Sequence, residues 1–294
     1  MSSSLRSPAP VRGRISAALA VRPKTRLALL LTAPMLWLVV AYLGSLITML
    51  VSAFWSVDEF TGNIVQEFTT KNIETVFTPG LTLQIAARTI GVAIVVTVLC
   101  ALIAVPLGFY MSKVATPRVR TLLIVAVLTP LWASYLVKAY AWRTILAPDG
   151  PLSFLTGGHT PGYGLTATAI TLTYLWLPYM VLPVYAGFEK VPSALFEASS
   201  DLGATPGRTI RSVLLPLVFP AITAGSIFTF SLTLGDYIAV SIVGGKTQLL
   251  ANVIYGDLIT ANNQPLAAAT ALLPLLAIII YLVALRRTGA TENV

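Results

Sequence analysis

The amino-acid sequence predicts an all-α integral membrane protein with six transmembrane helices. Three observations predict it: 56% hydrophobic residues against only 10% charged ones, a mean hydropathy of +0.83, and apolar runs of spanning length set between polar breaks. A soluble domain carries roughly 25% charged residues, so this composition suits lipid as solvent. A hydrocarbon core about 30 Å thick takes roughly 20 apolar residues per helix.

The first such run extends from Leu27 to Trp55. A polar stretch with Asp58, Glu59, Glu67, Lys71 and Glu74 separates it from the second, Leu83 to Met111. The third runs from Thr121 to Leu146, and a Gly/Pro-rich connection from Pro148 to Gly164 leads to the fourth, Leu165 to Phe188. The fifth spans Ser212 to Leu234 and the sixth Leu266 to Leu285. Pro106, Pro130, Pro178, Pro183 and Pro274 fall inside these runs and permit kinks. The domain plan is a basic tail over 1–26, a membrane domain over 27–287 and a short tail over 288–294.

Charge sets the expected orientation, because cytoplasmic loops near helix ends retain Lys and Arg. Fourteen of the nineteen basic residues fall on one side: six before residue 27, then Lys113, Arg118, Arg120, Lys190, Arg208, Arg211, Arg286 and Arg287. The other side holds Lys71, Arg88, Lys138, Arg143 and Lys246 with most of the acids. Both termini are therefore expected in the cytoplasm of a bacterial cell. The first 26 residues lack any acid, as a signal or transit segment does, but the apolar run that follows is too long for a signal h-region. An uncleaved signal anchor behind a disordered basic tail is the simpler reading.

Several functions are excluded on composition. One cysteine, Cys100, and one histidine, His159, leave no disulfide framework and no Cys or His metal cluster. The net charge of +8 is spread over several loops rather than gathered on one soluble face, so nucleic acid is not an expected partner. Gly244-Gly245-Lys246-Thr247 ends like a phosphate-binding loop, but Val240 stands where that loop needs glycine. The membrane runs offer no histidine and no close acid pair for an intramembrane hydrolase, and no internal repeat marks a secondary transporter.

The informative segment is the basic-side loop over 189–216. Pro192 suits a first helical turn, Leu195, Ala198, Ser199 and Leu202 recur at helical spacing, and Gly203 suits a left-handed stop. Thr205 then caps and Pro206 opens a second short helix, which runs through Ile210, Val213 and Leu214 into the fifth membrane helix. A helix, a sharp turn and a helix at the membrane surface are expected.

Glu197-Ala198-Ser199, three residues, Gly203, nine residues, Val213, one residue and Leu215-Pro216 resemble the EAA signature of binding-protein-dependent ABC importer permeases. Ser199 and Val213 depart mildly from that signature, which has Ala and Ile there. The resemblance implies a type I ABC importer permease fold in which this loop is a coupling helix docking into a cytoplasmic ATPase. It further implies a second permease subunit, two ATPase copies that bind ATP and Mg, an extracytoplasmic substrate-binding protein, and no cofactor in this chain. At such an interface Ala198 and Gly203 would allow close approach, Leu202 would anchor, and Glu197 and Asp201 would meet basic groups. Solvation of an exposed helix by those two acids is the plainer alternative.

Leu131-Trp132-Ala133-Ser134-Tyr135-Leu136-Val137-Lys138-Ala139-Tyr140-Ala141-Trp142, and Gly235-Asp236-Tyr237 before Gly244-Gly245, resemble the spermidine/putrescine branch of that family. Similar stretches occur in importers of iron(III), thiamine and opines. A polyamine needs carboxylates and aromatic faces along its path. Asp236 and Tyr237 are the natural candidates, with Trp132, Tyr135 and Trp142 expected on one face of the third helix and Trp176 on the fourth. A belt of headgroup anchors explains such aromatics equally well. A membrane anchor without transport would leave uptake indifferent to Glu197 and Gly203.

Overall fold

The computed structural model describes residues 30–32, 34–58 and 60–287; both expected tails, the first residues of the first run and Glu59 lie outside them. The chain divides into two units, one ending at Ser52 and the other beginning at Ala53.

The first unit is one helix, α1 (Leu30–Ser52), which widens into a π-helical turn over Leu38–Leu43. Its hydroxyls bond back along the helix, Thr48 to the Gly44 carbonyl at 2.8 Å and Ser52 to that of Met49 at 2.7 Å. Hydrocarbon offers no other partners. Its apolar side chains point outward, with Trp37 75% exposed.

The second unit opens with a small hairpin in which β1 (Ser56–Val57) pairs antiparallel with β2 (Ile64–Val65), Ser56 opposite Val65. Asp58 closes its turn: one carboxylate oxygen accepts from the Phe60 and Thr61 amides and the Thr61 hydroxyl at 2.7–3.0 Å. Those donors hold the Asp58 carboxyl below its usual range. α2 (Lys71–Phe77) follows, and Asn72 ties it to the Ala53 and Trp55 carbonyls at 3.1 and 2.7 Å.

The membrane elements are α3 (Leu81–Val114), α4 (Pro117–Trp132), α5 (Tyr135–Leu146), the short α6 (Pro151–Leu155) and α7 (Leu165–Glu189). Then come α8 (Ala194–Asp201), α9 (Pro206–Leu234), α10 (Ile238–Val243), α11 (Leu250–Thr260) and α12 (Gln264–Arg287). α3, α7 and α9 pack against one another and carry the main core, with Val96, Cys100, Met180, Val184, Phe188 and Val218 buried among them.

Small residues set how closely these helices cross, as they must where lipid gives no hydrophobic drive for association. A Cβ on Gly187 would lie 2.5 Å from the Ala221 Cβ, and one on Gly225 would lie 2.7 Å from the Met180 sulfur. Buried hydroxyls add cross-links. Tyr281 of α12 donates to Ser226 of α9 at 2.8 Å, and the Leu250 amide of α11 donates to Thr89 of α3 at 2.9 Å.

Two expectations need correction. The third apolar run is not one helix: α4 meets the segment Tyr135–Leu155, which α5 opens, at Ala133 and Ser134 with a bend of 101°. Pro130 removes a backbone donor and crowds the last turn of α4, and Ala133 and Ser134 take extended backbone. Lys138 stabilises the break by donating to the freed Pro130 carbonyl at 2.9 Å. The described residues thus contain five long apolar helices, and six spans only when the bent pair is counted as one. The fifth helix begins at Pro206 rather than Ser212, because the short opening helix and the membrane helix run on through a π-helical turn over Ile210–Leu214. The connection between helices is correspondingly shorter than the expected loop over 189–216.

Candidate functional site

Two regions hold the candidate residues, one at each end of the α3, α7 and α9 core. At the basic end, α8 stops at Gly203, whose φ of +77° only glycine adopts without strain. The Gly203 amide bonds to the Ser200 carbonyl at 2.8 Å and the Ala204 amide to that of Ser199 at 3.1 Å, which is a Schellman stop. Thr205 lies in extended backbone ahead of Pro206, though its side chain makes no capping bond.

The faces of α8 differ from the expected stripe. Phe196 and Ser199 turn inward, whereas Leu195, Ala198 and Leu202 are exposed, Leu202 by 88%. Glu197, Asp201 and Gly203 are exposed with them. The outer face therefore presents the candidate docking residues together, except Ser199, which is buried. Ser199 meets the Thr209 hydroxyl at 2.8 Å. Phe196 lies 6.4 Å from the Phe109 ring, with the Lys113 ammonium 5.9 Å above its own ring.

Basic residues around this hairpin satisfy helix-end carbonyls, where cations suit the dipole. Lys113 donates to the Val191 carbonyl at 2.6 Å. Arg120 donates to Met111 and Ser112 at 2.9 and 3.1 Å and lies 3.9 Å from Glu189. Phe196, Thr209 and Lys113 were missed by sequence reasoning. The three-residue spacing of Phe196 and Ser199 was the available signal.

At the opposite end, α5, α7, α9 and α10 surround a pocket of about 280 Å³ lined by Tyr135, Trp176, Ser231, Asp236, Tyr237 and Ile238. Asp236 is 7% exposed. The Tyr135 hydroxyl donates to one of its carboxylate oxygens, and the Ala239 amide donates to the other at 2.9 Å. Tyr237 stacks on Tyr255 with ring centres 4.7 Å apart, and Asn252 fixes the Tyr237 carbonyl at 3.0 Å. Trp176 lies 6.1 Å from the Tyr135 ring. One carboxylate among three aromatic rings is an environment suited to an organic cation.

Residues 102–287 match the family of binding-protein-dependent transport system inner membrane components. The chain belongs to that family. It is 40% identical to the inner membrane ABC transporter permease protein YdcU of Escherichia coli (strain K12) over 98% of each chain. It is 32% identical to the spermidine/putrescine transport system permease protein PotB of Haemophilus influenzae, covering 72% of this chain and 77% of that one. A chain of a bacterial ABC transporter involved in the import of alginate superposes with a TM-score of 0.69 at 15% identity, over 95% of this chain and 100% of that one. For the MetNI methionine ABC transporter the TM-score is 0.56 at 19% identity, over 71% and 95%. The fold is that of a type I ABC importer permease.

As a transport component of this family, the chain is not an enzyme. Among the described residues no three His, Cys, Asp or Glu gather as metal ligands, and Gly244 to Thr247 close an ordinary turn, with the Thr247 amide 2.9 Å from the Gly244 carbonyl. The structure does not bring every aromatic candidate to the pocket. Trp132 ends α4 ahead of the break and is 90% exposed, so it shares no helix face with Tyr135. Trp142 packs against Tyr174 at 5.4 Å and the cluster of Leu146, Ala167 and Val243, outside the pocket. Ser231, Leu232 and Ile238 line it without having been singled out. They flank Asp236 in sequence, but a small or aliphatic residue carries no chemical signal of its own.

Proposed function

We propose that this chain is a permease subunit of an ATP-driven importer of polyamines such as spermidine and putrescine, forming half of the translocation pathway. The observation that carries the cargo is Asp236, a buried carboxylate in a pocket walled by Tyr135, Trp176 and Tyr237. An ammonium group binds a carboxylate by charge-assisted hydrogen bonds and an aromatic face through its quadrupole. The likeness to permeases named for spermidine and putrescine supports the same reading.

In this reading both termini and α8 lie in the cytoplasm, following the excess of Lys and Arg. Glu197, Ala198, Asp201, Leu202 and Gly203 form the face that enters an ATPase cleft, by the helix-in-groove mode. Ser199 supports that face from behind. The working assembly holds a second, similar permease, two ATPase copies that bind ATP and Mg, and an extracytoplasmic binding protein.

ATP hydrolysis by the assembled complex in lipid, with its binding protein, tests the proposal across polyamines, opines, thiamine and iron(III). Stimulation by spermidine or putrescine that disappears on Gly203→Asp is the expected result. Stimulation by another of these ligands alone removes the polyamine assignment and leaves the coupling role standing. Loss of cargo response without any effect of Gly203→Asp removes the coupling role.

A further inference from the structure

α8 reaches the membrane helices through three contacts that the docking face does not use. The Ser199 hydroxyl is buried and lies 2.8 Å from that of Thr209. Thr209 is itself 3.3 Å from the Thr205 carbonyl, an acceptor only, so Thr209 donates there and Ser199 donates to Thr209. This relay crosses from α8 to the first turn of α9. The second contact is Phe196, packed against Phe109 near the end of α3. The third is Lys113, whose ammonium reaches both the Val191 carbonyl ahead of α8 and the Phe196 ring.

We propose that the Ser199 to Thr209 hydrogen bond, backed by Lys113 and Phe196, locks α8 to α3 and α9 as a rigid lever, making Ser199, Thr209 and Lys113 positioning residues for coupling. The inference rests on reading α8 as the coupling helix, but the rigidity it asserts has its own readout. Three observations favour a lever over a hinge. The turn between α8 and α9 is closed by a Schellman stop at Gly203. α9 then continues from Pro206 into the membrane without a break in helix. The inward face of α8 carries one aromatic and one hydroxyl anchor, bound to different membrane helices, so rotation of α8 about its own axis breaks both. A displacement imposed on α8 by an ATPase therefore moves the ends of α3 and α9 with it, and not a slack loop.

Serine at 199 has a physical role in this account. A hydroxyl there without Thr209 is a buried donor lacking a partner, and Thr209 without Ser199 loses the donor that holds α8. The first loss lowers the population of the locked geometry about five- to a hundredfold, and the second, in which Thr209 keeps its bond to the Thr205 carbonyl, lowers it less.

The test uses the full assembled complex, with spin labels on Ser200→Cys of α8, exposed and outside the docking face, and Val119→Cys of α4; Cys100 is buried and does not compete for label. The parent gives one narrow distance distribution. Thr209→Val and Ser199→Ala are expected to broaden it and to lower spermidine uptake per ATP hydrolysed at least threefold, with the ATPase still co-purifying. The exchange Ser199→Thr with Thr209→Ser keeps both hydroxyls and restores the narrow distribution. A narrow distribution retained in Thr209→Val overturns the lever. If Gly203→Asp leaves uptake and ATPase binding intact, the coupling-helix reading fails, while the distance measurement still decides whether the hairpin is locked. Lys113→Met provides an independent check, since it spares the hydroxyl pair: a broadened distribution supports the three-contact lock, and an unchanged one removes Lys113 from it.

Discussion

The basic-end hairpin and the Asp236 pocket stand at opposite ends of the α3, α7 and α9 core and differ in how their parts are gathered. In the hairpin every group that shapes the turn comes from a run of about fifteen residues, Ser199 through Thr209 with their neighbours, and the bonds span three to ten positions. In the pocket the central bond joins Tyr135 to Asp236, 101 positions apart and on opposite sides of two connections. The first needs only its own segment to form its turn. The second exists only after α5, α7, α9 and α10 have docked.

Removing Asp236 is the largest way to break that contrast. Asp236→Ala strands the half-buried Tyr135 hydroxyl and the buried Ala239 amide, the latter worth about 1–3 kcal/mol when left without a partner. Under the proposed function it also deletes the one carboxylate that lines the pocket among the described residues. Uptake of spermidine by reconstituted complex is expected to fall at least about tenfold, while ATPase co-purification through the hairpin stays at the parent level. Loss of ATPase binding together with uptake counts against the separation of the two ends.

This difference in gathering also explains what could be read from the sequence. Spanning lengths follow from hydrophobic runs, so α3, α7 and α12 were legible within a few residues. The Gly203 stop and the opening at Pro206 were legible because backbone conformation is a local property. The bend at Ala133 was not, since Pro130 inside an apolar run is compatible with either a kink or a break. The bond from Lys138 back to the Pro130 carbonyl forms only once the chain has bent, and so leaves no mark in the pattern of apolar residues. For the same reason the grouping of Trp132 with Tyr135 failed: helical spacing carries no information across a break of 101°. The inward turn of Phe196 and Ser199 depended on which face of α8 meets α3 and α9, and a stripe shifted by one residue fits the pattern almost as well.

The core that joins the two ends supplies the next test. Gly187→Ala places a Cβ 2.5 Å from that of Ala221 and is expected to destabilise the protein by about 1–3 kcal/mol, lowering its thermal midpoint in detergent. Gly91→Ala in α3 meets nothing within 4 Å and is expected to be neutral or to stabilise by about 0.5–1 kcal/mol. If both substitutions behave alike, close crossing is not what holds α7 to α9. A smaller effect is expected for Lys138→Met, which leaves the Pro130 carbonyl without its cation. A cost of about 1 kcal/mol follows from one such bond, read as a modest drop in the same midpoint.

The smallest effect sharpens the comparison by asking whether locality or position in the molecule sets the behaviour. Asp58 belongs to the second unit, far in sequence from the α8 hairpin, yet it is as local as that hairpin: its acceptor oxygen serves Phe60 and Thr61. Its carboxyl is held below the usual value of 3.8, first by the Thr61 amide. A depressed folded value means that the turn is favoured above the ordinary carboxylate range and loses that support as pH falls through the folded value. Hydrogen exchange at Thr61 and Asn63 is therefore expected to speed up at acid pH, after correction for the intrinsic rate, and Asp58→Asn is expected to remove most of that pH dependence. Because the turn needs no distant partner, the exchange at Leu250 and Ala239, which guard the tertiary contacts, is expected to stay unchanged over the same interval. Coordinated loss at all of these amides would mean that the hairpin and the bundle open as one unit, and local gathering would then not confer local independence.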